Sequence, residues 1–243
     1  MNILNRHNAD HRASGQSARA PRYRTVVFDL DGTLADTAPD LAASINDMLQ
    51  QMRRNALTVD QVRPFVGDGV HELVRRALAA SGRCSEDIFD LHFPVFINHY
   101  ENHLADHSRA WPGVTNALQA LLSSGVALAL CTNKLEKLTI PFLERLGLED
   151  VFAAVICGDT LSTRKPDPAP LLEAVRRTAR SSALFVGDTG VDIATAEAAG
   201  LPIVIVDMIG GSPAALDPRV QAVISDFSTL VDLVLGDKGP ASE

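Results

Sequence analysis

The chain has 243 residues, 46% of them hydrophobic, and a formal net charge of −8, enough length and apolar content for a full core plus a smaller insertion. That acidic balance argues against nucleic acid as a partner, and no apolar run reaches the length of a membrane span. Cys84, Cys131 and Cys157 are too few and too scattered for a disulfide framework or a thiolate zinc site, which points to a reducing, cytoplasmic setting.

Residues 1–24 hold five arginines and one aspartate, a local charge of +4 that leaves −12 for the remainder. Residues 1–20 read as a disordered leader with no signal-peptide hydrophobic region, an organelle-targeting peptide being the sharper alternative. Thr25-Val26-Val27-Phe28 is then an apolar, β-branched run of the kind that forms a strand covered on both faces. Asp29-Leu30-Asp31-Gly32-Thr33 follows directly. Open parallel sheets place their chemistry at the carboxyl ends of such strands, and aspartates two apart point the same way from an extended backbone. Gly32 lets the chain turn sharply afterwards. Taken alone, Asp-Gly is also a common turn dipeptide.

From Thr37 to Ala110 the pattern is helical almost throughout. Thr37-Ala38-Pro39-Asp40 resembles a capping box with proline in the first turn, which makes Asp36 and Asp40 helix-start charges. Gly67-Asp68-Gly69 opens a helix whose apolar stripe is Val70, Leu73, Val74, Ala77 and Leu78. That opening is either an ordinary N-cap or a dock for a substrate carboxylate, with Arg75 or Arg76 as partners. Glu86 to His103 carries a longer helix or a pair of helices. His99, His103 and His107 recur every four residues, but rings on three consecutive turns span more than one metal's reach, so a cap metal site is not expected. Trp111-Pro112-Gly113 punctuates the return.

Beyond it, helices near Gly113–Ser123, Leu135–Leu146, Ala169–Ala179 and Thr189–Ala198 alternate with strands at Ala127–Cys131, Ala154–Cys157, the run from Ala183, and Ile203–Val206. Such alternation predicts a doubly wound α/β sheet. Three of its elements carry further chemistry: Thr132-Asn133-Lys134 after one strand, Lys165 within Arg164-Lys165-Pro166-Asp167-Pro168, and Gly187-Asp188-Thr189-Gly190-Val191-Asp192 after another. Each has a plain reading as well. Thr132-Asn133 could cap the helix near Leu135, Lys165 could be a solvated loop charge, and Asp192 could favour a helix N-terminus through the dipole.

Taken in order, these motifs resemble the haloacid dehalogenase-like superfamily on its phosphatase branch. Phe65-Val66-Gly67-Asp68-Gly69, Leu73-Val74-Arg75-Arg76-Ala77-Leu78, His99-Tyr100-Glu101-Asn102, Thr132-Asn133-Lys134 and Arg164-Lys165-Pro166-Asp167-Pro168 are similar to the phosphoglycolate phosphatase family within it. Leu135, where that family usually has proline, and Met208-Ile209-Gly210-Gly211, in place of its aromatic-glycine loop, are departures that bear on substrate. The resemblance implies a Rossmann-like, doubly wound parallel core (21–36 and 111–243) with an inserted all-helical cap (37–110). It implies Asp29 as nucleophile and Asp31 as general acid/base, with Thr132, Asn133 and Lys165 binding phosphate. Asp29 and Asp188, with the Asp31 carbonyl, would hold Mg2+, and Asp192 would support the site.

The implied reaction is magnesium-dependent hydrolysis of a small phosphorylated metabolite, 2-phosphoglycolate first, through an aspartyl-phosphate, by a monomer or homodimer. Phosphate monoesters hydrolyse extremely slowly unaided, so a site must offset repulsion between a dianionic ester and an attacking anion. A hard cation and a lysine do this, and a covalent aspartyl intermediate divides the displacement in two. Dehalogenases need neither the second acid nor the metal. A phosphonate-cleaving relative would need a cap lysine, whereas the lysines here are Lys134, Lys137, Lys165 and Lys238. Another sugar-phosphate phosphatase, a phosphomutase, or a non-catalytic phospho-binding protein are the alternatives.

Overall fold

The computed structural model describes residues 20–236. All but the last residue of the expected leader therefore lies outside the described residues.

Six strands form one parallel sheet in the order β5-β4-β1-β6-β7-β8: β1 Thr25–Phe28, β4 Ala127–Cys131, β5 Ala154–Ile156, β6 Ala183–Gly187, β7 Ile203–Val206 and β8 Ala222–Ile224. β1 lies at the centre, with Phe28 opposite Leu130 of β4 and Val186 of β6. This register brings Asp29, Thr132 and Asp188 out at the same edge of the sheet, one or two residues past the paired positions. β1 is buried along its whole length, and the two-residue side-chain period divides its apolar groups between two layers. Val26 and Phe28 pack with Leu118 and Leu121 of α5 (Val114–Ser123) and with Phe227 and Leu230 of α9 (Phe227–Leu235). Val27 packs on the other face with Leu171 and Ala174 of α7 (Ala169–Thr178) and Ile193 and Ala196 of α8 (Gly190–Ala199). The doubly wound α/β sheet expected from the sequence is present. β8 and α9 extend it beyond the predicted elements.

Between a two-residue antiparallel ladder, β2 (Ala35–Asp36) and β3 (Arg109–Ala110), the chain forms α1 (Ala38–Gln51), α2 (Val59–Val62), a 3-10 turn at Arg63–Phe65, α3 (Val70–Ser81) and α4 (Glu86–Asn102). Val70, Leu73, Val74, Ala77 and Leu78 are the buried residues of α3, as their spacing predicts. Glu86 to His103 resolves into one helix that carries Pro94 inside it, capped by the Ser85 hydroxyl. Among the described residues no helix is long and apolar enough to cross a membrane.

The start of α1 meets expectation in part, with Asp40 in its first turn. Thr37 is the N-cap residue, but its hydroxyl makes no capping bond. Asp40 is buried and accepts from the backbone N–H groups of His107 at 2.9 and 3.1 Å and Ser108 at 2.7 Å. A carboxylate with buried amide donors gains more from them than from a helix dipole, so Asp40 ties α1 to the segment that re-enters the sheet. Asp36 does serve the helix start, accepting from the Ala38 amide at 3.3 Å, and it also makes a two-bond pair with Arg63 at 2.7 and 3.1 Å.

Candidate active site

Three carboxylates and one lysine meet at the carboxyl edge of the sheet. Asp29 follows β1 and Asp188 follows β6, while Asp192 sits in the first turn of α8 and Lys165 comes from the loop before α7. Ligating atoms of Asp29, Asp188 and Asp192 lie within 4.8 Å of one another. Lys165 Nζ is 2.6 Å from Asp192 Oδ1 and 2.9 Å from Asp29 Oδ1. Only the Asp192 contact is a well-directed hydrogen bond, and Asp29 Oδ1 is left without one. The second Asp192 oxygen accepts from the amides of Asp188 and Thr189 and from the Thr189 hydroxyl, at 3.2, 3.0 and 2.7 Å. Asp192 is thus more than a dipole charge: it caps α8 and anchors Lys165. Lys165 is no solvated loop charge either, being 3% exposed.

Glycine at two positions lets these groups approach. Gly32 has φ +87°, and a Cβ there would overlap the Asp188 carboxylate. A Cβ on Gly187 would overlap Asp192. Thr33 Oγ1 donates to Asp188 Oδ1 at 2.7 Å.

The electrostatics follow from this crowding. Burial raises the Asp29 pKa to about 6, with Lys165 opposing the rise and Asp192 adding to it. Burial, then Asp192 and Asp29, push Asp188 well above the ordinary carboxylate range. Burial alone would lower Lys165, but Asp192 and Asp29 outweigh it and keep the ammonium charged. One cation against three carboxylates leaves an excess of negative charge, and buried charge needs a partner. Asp192 has spent both oxygens. Asp29 and Asp188 therefore offer the free oxygen donors, a hard set that fits a magnesium-type cation.

After β4, the Thr132 amide donates to Ile156 O at 2.9 Å, and Thr132 Oγ1 accepts from the Lys134 amide at 3.2 Å. Asn133 Nδ2 donates to Gly67 O at 3.0 Å and Lys165 O at 3.1 Å, while its buried Oδ1 has no partner among the described residues. Neither residue caps α6 (Glu136–Leu146); Leu135 occupies that position and the Glu136 amide is met by Asp159. A cavity lies between these groups and the helical segment, lined by Asp29, Asp31, Thr132, Asn133 and Lys134 on one side and by Val66, Gly67, Gly69, Val70 and Leu73 on the other.

The Asp31 side chain stands apart from the carboxylate cluster. Lys134 Nζ donates to its two oxygens at 2.9 and 3.3 Å and to the Tyr100 hydroxyl of α4 at 2.6 Å. Burial raises the Tyr100 pKa to about 12, and it would lower Lys134, but Asp31 and Tyr100 more than reverse that. Sequence reasoning gave neither Lys134 nor Tyr100 a place in the site. Lys134 is legible as a donor at the end of β4, whereas Tyr100 enters the sequence reading only within the family-like run His99-Tyr100-Glu101-Asn102.

Arg75 and Arg76 do not turn to the cavity. Arg75 makes a two-bond pair with Glu86 at 2.7 and 2.8 Å, and Arg76 pairs with Asp68 at 2.6 Å and Glu72 at 3.0 Å. The exposed Arg164 makes no ion pair among the described residues, and one of its guanidinium nitrogens lies 3.8 Å from where Gly69 would carry a Cβ. Of the histidines, His99 bonds Ser44, His103 bonds Asp106, and the two rings stack at 4.3 Å. His107 lies beyond the end of α4 and off its face.

With this geometry, a model of the haloacid dehalogenase-like hydrolase family matches residues 26–206. The chain belongs to that family and is an enzyme of its phosphatase branch. It is 42% identical over 209 residues to a phosphoglycolate phosphatase of Mesorhizobium japonicum, covering 84% of this chain and 92% of that one. A phosphoglycolate phosphatase of Agrobacterium fabrum is 36% identical over 228 residues, covering 91% and 98%. Among solved structures, a predicted phosphoglycolate phosphatase from Haemophilus somnus superposes with a TM-score of 0.79 at 29% identity, covering 87% and 98%.

Proposed function

We propose that this chain hydrolyses 2-phosphoglycolate to glycolate and phosphate, with magnesium, by transferring the phosphoryl group to Asp29. The observation that carries this is Asp29 itself: a buried carboxylate beside Lys165, with one oxygen free of hydrogen bonds, at the floor of a cavity that also receives Asp31, Thr132 and Asn133. A pKa of about 6 still leaves Asp29 mostly ionised at neutral pH. It attacks phosphorus, the bond to the leaving oxygen breaks, and Asp31, entering the step as its neutral acid, gives that oxygen a proton and becomes the carboxylate. Asp31 then takes a proton from the water that attacks the acyl phosphate, returning Asp29 to its carboxylate. Lys165 balances charge on the transferring group, and the Thr132 hydroxyl donates to its equatorial oxygens. Asn133 Nδ2 is spent on Gly67 and Lys165, so its contribution is to hold the phosphate-binding loop and the helical segment together. Magnesium, held by Asp29 and Asp188 with the Asp31 carbonyl, would neutralise charge on the phosphoryl oxygens.

Residues 37–110 act in this account as a cap that excludes water during transfer. The short carbon chain of 2-phosphoglycolate suits the narrow space between the Asp29 floor and α3. Its carboxylate would meet the amides at the start of α3 and the Arg164 guanidinium, in place of Arg75 or Arg76. The relatives named phosphoglycolate phosphatase support the same substrate.

Phosphate release from a panel of 2-phosphoglycolate, hexose phosphates, nucleotides and an aryl phosphate, with magnesium and with chelator, tests this. Magnesium-dependent preference for 2-phosphoglycolate is the expected result. Activity spread evenly over the panel would discard the substrate, and activity in chelator equal to that in magnesium would discard the metal.

A further inference from the structure

We infer that Lys134 and Tyr100 are positioning residues for Asp31, and that the helical segment, by seating the Tyr100 hydroxyl on the Lys134 ammonium, holds the Asp31 carboxyl group in place both as it gives its proton and as it takes one back. The inference rests on the proposed role of Asp31 as acid and base.

The ammonium joins two parts of the molecule. Asp31 follows β1 and Lys134 follows β4, both in the sheet, whereas Tyr100 belongs to α4. Lys134 and Asp31 side chains are 1% and 15% exposed, and Tyr100 is fully buried. Lys134 Nζ also lies 4.8 Å from the centroid of the Tyr100 ring and 5.2 Å from that of Phe142. In such an apolar pocket each ammonium N–H needs an acceptor, and Asp31 and the Tyr100 hydroxyl supply them. Without the hydroxyl, the ammonium is left short of a partner and its hold on Asp31 changes.

Tyr100 is packed into the helical segment through a row of rings. Its ring stacks on Phe96 at 5.8 Å, Phe96 meets Phe93 at 6.3 Å, and Phe93 stacks on His71 of α3 at 4.5 Å. This aromatic row fixes the phenol relative to α3 and α4. The Asn133 to Gly67 bond is a second, independent tie between the same two parts. When the segment is seated, the Lys134–Asp31 pair is dry and directed. When it lifts, water reaches the pair and reduces it to the weak, mobile kind found at surfaces. Asp31 is thereby held in line with the leaving oxygen only while the substrate is enclosed, so proton delivery coincides with exclusion of water.

The test compares Tyr100→Phe, Lys134→Met and Asp31→Asn on 2-phosphoglycolate and on an aryl phosphate, whose leaving group needs no proton. Tyr100→Phe keeps the ring and removes one oxygen. It should leave KM for 2-phosphoglycolate within about threefold of wild type and lower kcat at least about tenfold. With the aryl phosphate it should release a burst of phenolate while phosphate stays on Asp29, because attack is spared and the water step still needs Asp31. Lys134→Met should show the same pattern more strongly. A Tyr100→Phe enzyme that turns over normally beside an inactive Asp31→Asn would overturn the clamp and leave the proposed function standing. So would a loss of rate that comes with a parallel rise in KM, a lowered unfolding temperature and no burst, which is the mark of cap docking alone. Normal turnover by Asp31→Asn would instead overturn the role of Asp31 and the clamp with it.

Discussion

Charges at the carboxyl edge of the sheet and the arginine pairs on the helical segment are held in opposite ways. Lys165, Asp29 and Asp192 have side chains 1%, 4% and 0% exposed, while Arg75 and Glu86 on the segment are 36% and 69% exposed. A buried charge that loses its partner has nothing to replace it, whereas an exposed one turns to water. The edge is therefore committed to one geometry, and the segment contributes to the site through a few atoms: the Gly67 carbonyl, the start of α3 and the Tyr100 hydroxyl.

Substitutions that break this contrast should differ by orders of magnitude. Asp29→Asn should lower kcat/KM at least about 10⁴-fold. Because burial already disfavours the Asp29 charge, its unfolding temperature in chelator should equal or exceed that of wild type, and a large drop would mean that the carboxylate is structural. Lys165→Met comes next. It strands Asp29 and Asp192, so equilibrium unfolding should show a loss of about 3–5 kcal/mol, with about 10²-fold to 10³-fold off kcat. Gly32→Ala should cost about 1–2 kcal/mol for the left-handed backbone and also displace Asp188, so steady-state assays should show a raised magnesium requirement. At the far end, Arg75→Ala removes an exposed pair and the guanidinium's contact with the Phe89 ring, 4.1 Å from its centroid, both away from the cavity, and should leave kcat/KM within about twofold of wild type.

The response to pH sharpens the contrast without a mutation. Asp29 titrates near 6 in the folded chain and Asp188 is raised well above its ordinary value, so the native state binds more protons than the unfolded one above about pH 4. Metal-free stability from this pair is then present at low pH and declines as pH rises through about 6. Magnesium needs both carboxylates ionised. Its stabilising shift in unfolding temperature should therefore be larger at about pH 7.5 than at about pH 5, and equal shifts would remove the pair as the metal site.

The contrast also explains what could be read in advance. Thr25–Phe28 and Ala183–Gly187 announce themselves as buried strands because both faces are covered, and the acids that follow them could be placed at one edge from topology alone. The stripe of α3 was equally plain from its period. β8 escaped notice because it has three residues and lies at the sheet edge with Val223 exposed. Asp40 is legible as a first-turn charge of α1, but its partners, the amides of His107 and Ser108, lie 67 and 68 residues away, beyond the reach of local capping rules. The Lys134–Tyr100 bond is long-range in the same way, and no periodicity distinguishes a tyrosine that meets a lysine from one that fills a core.

Everything proposed for this site depends on passage of the phosphoryl group through Asp29. Rapid acid quenching of wild-type enzyme turning over phosphorus-labelled 2-phosphoglycolate in magnesium, followed by peptide mapping, tests it most directly. Label on the peptide containing Asp29, formed and lost at rates that support turnover, is the predicted result. Steady phosphate release with no protein-bound label, or label on another residue, would contradict it.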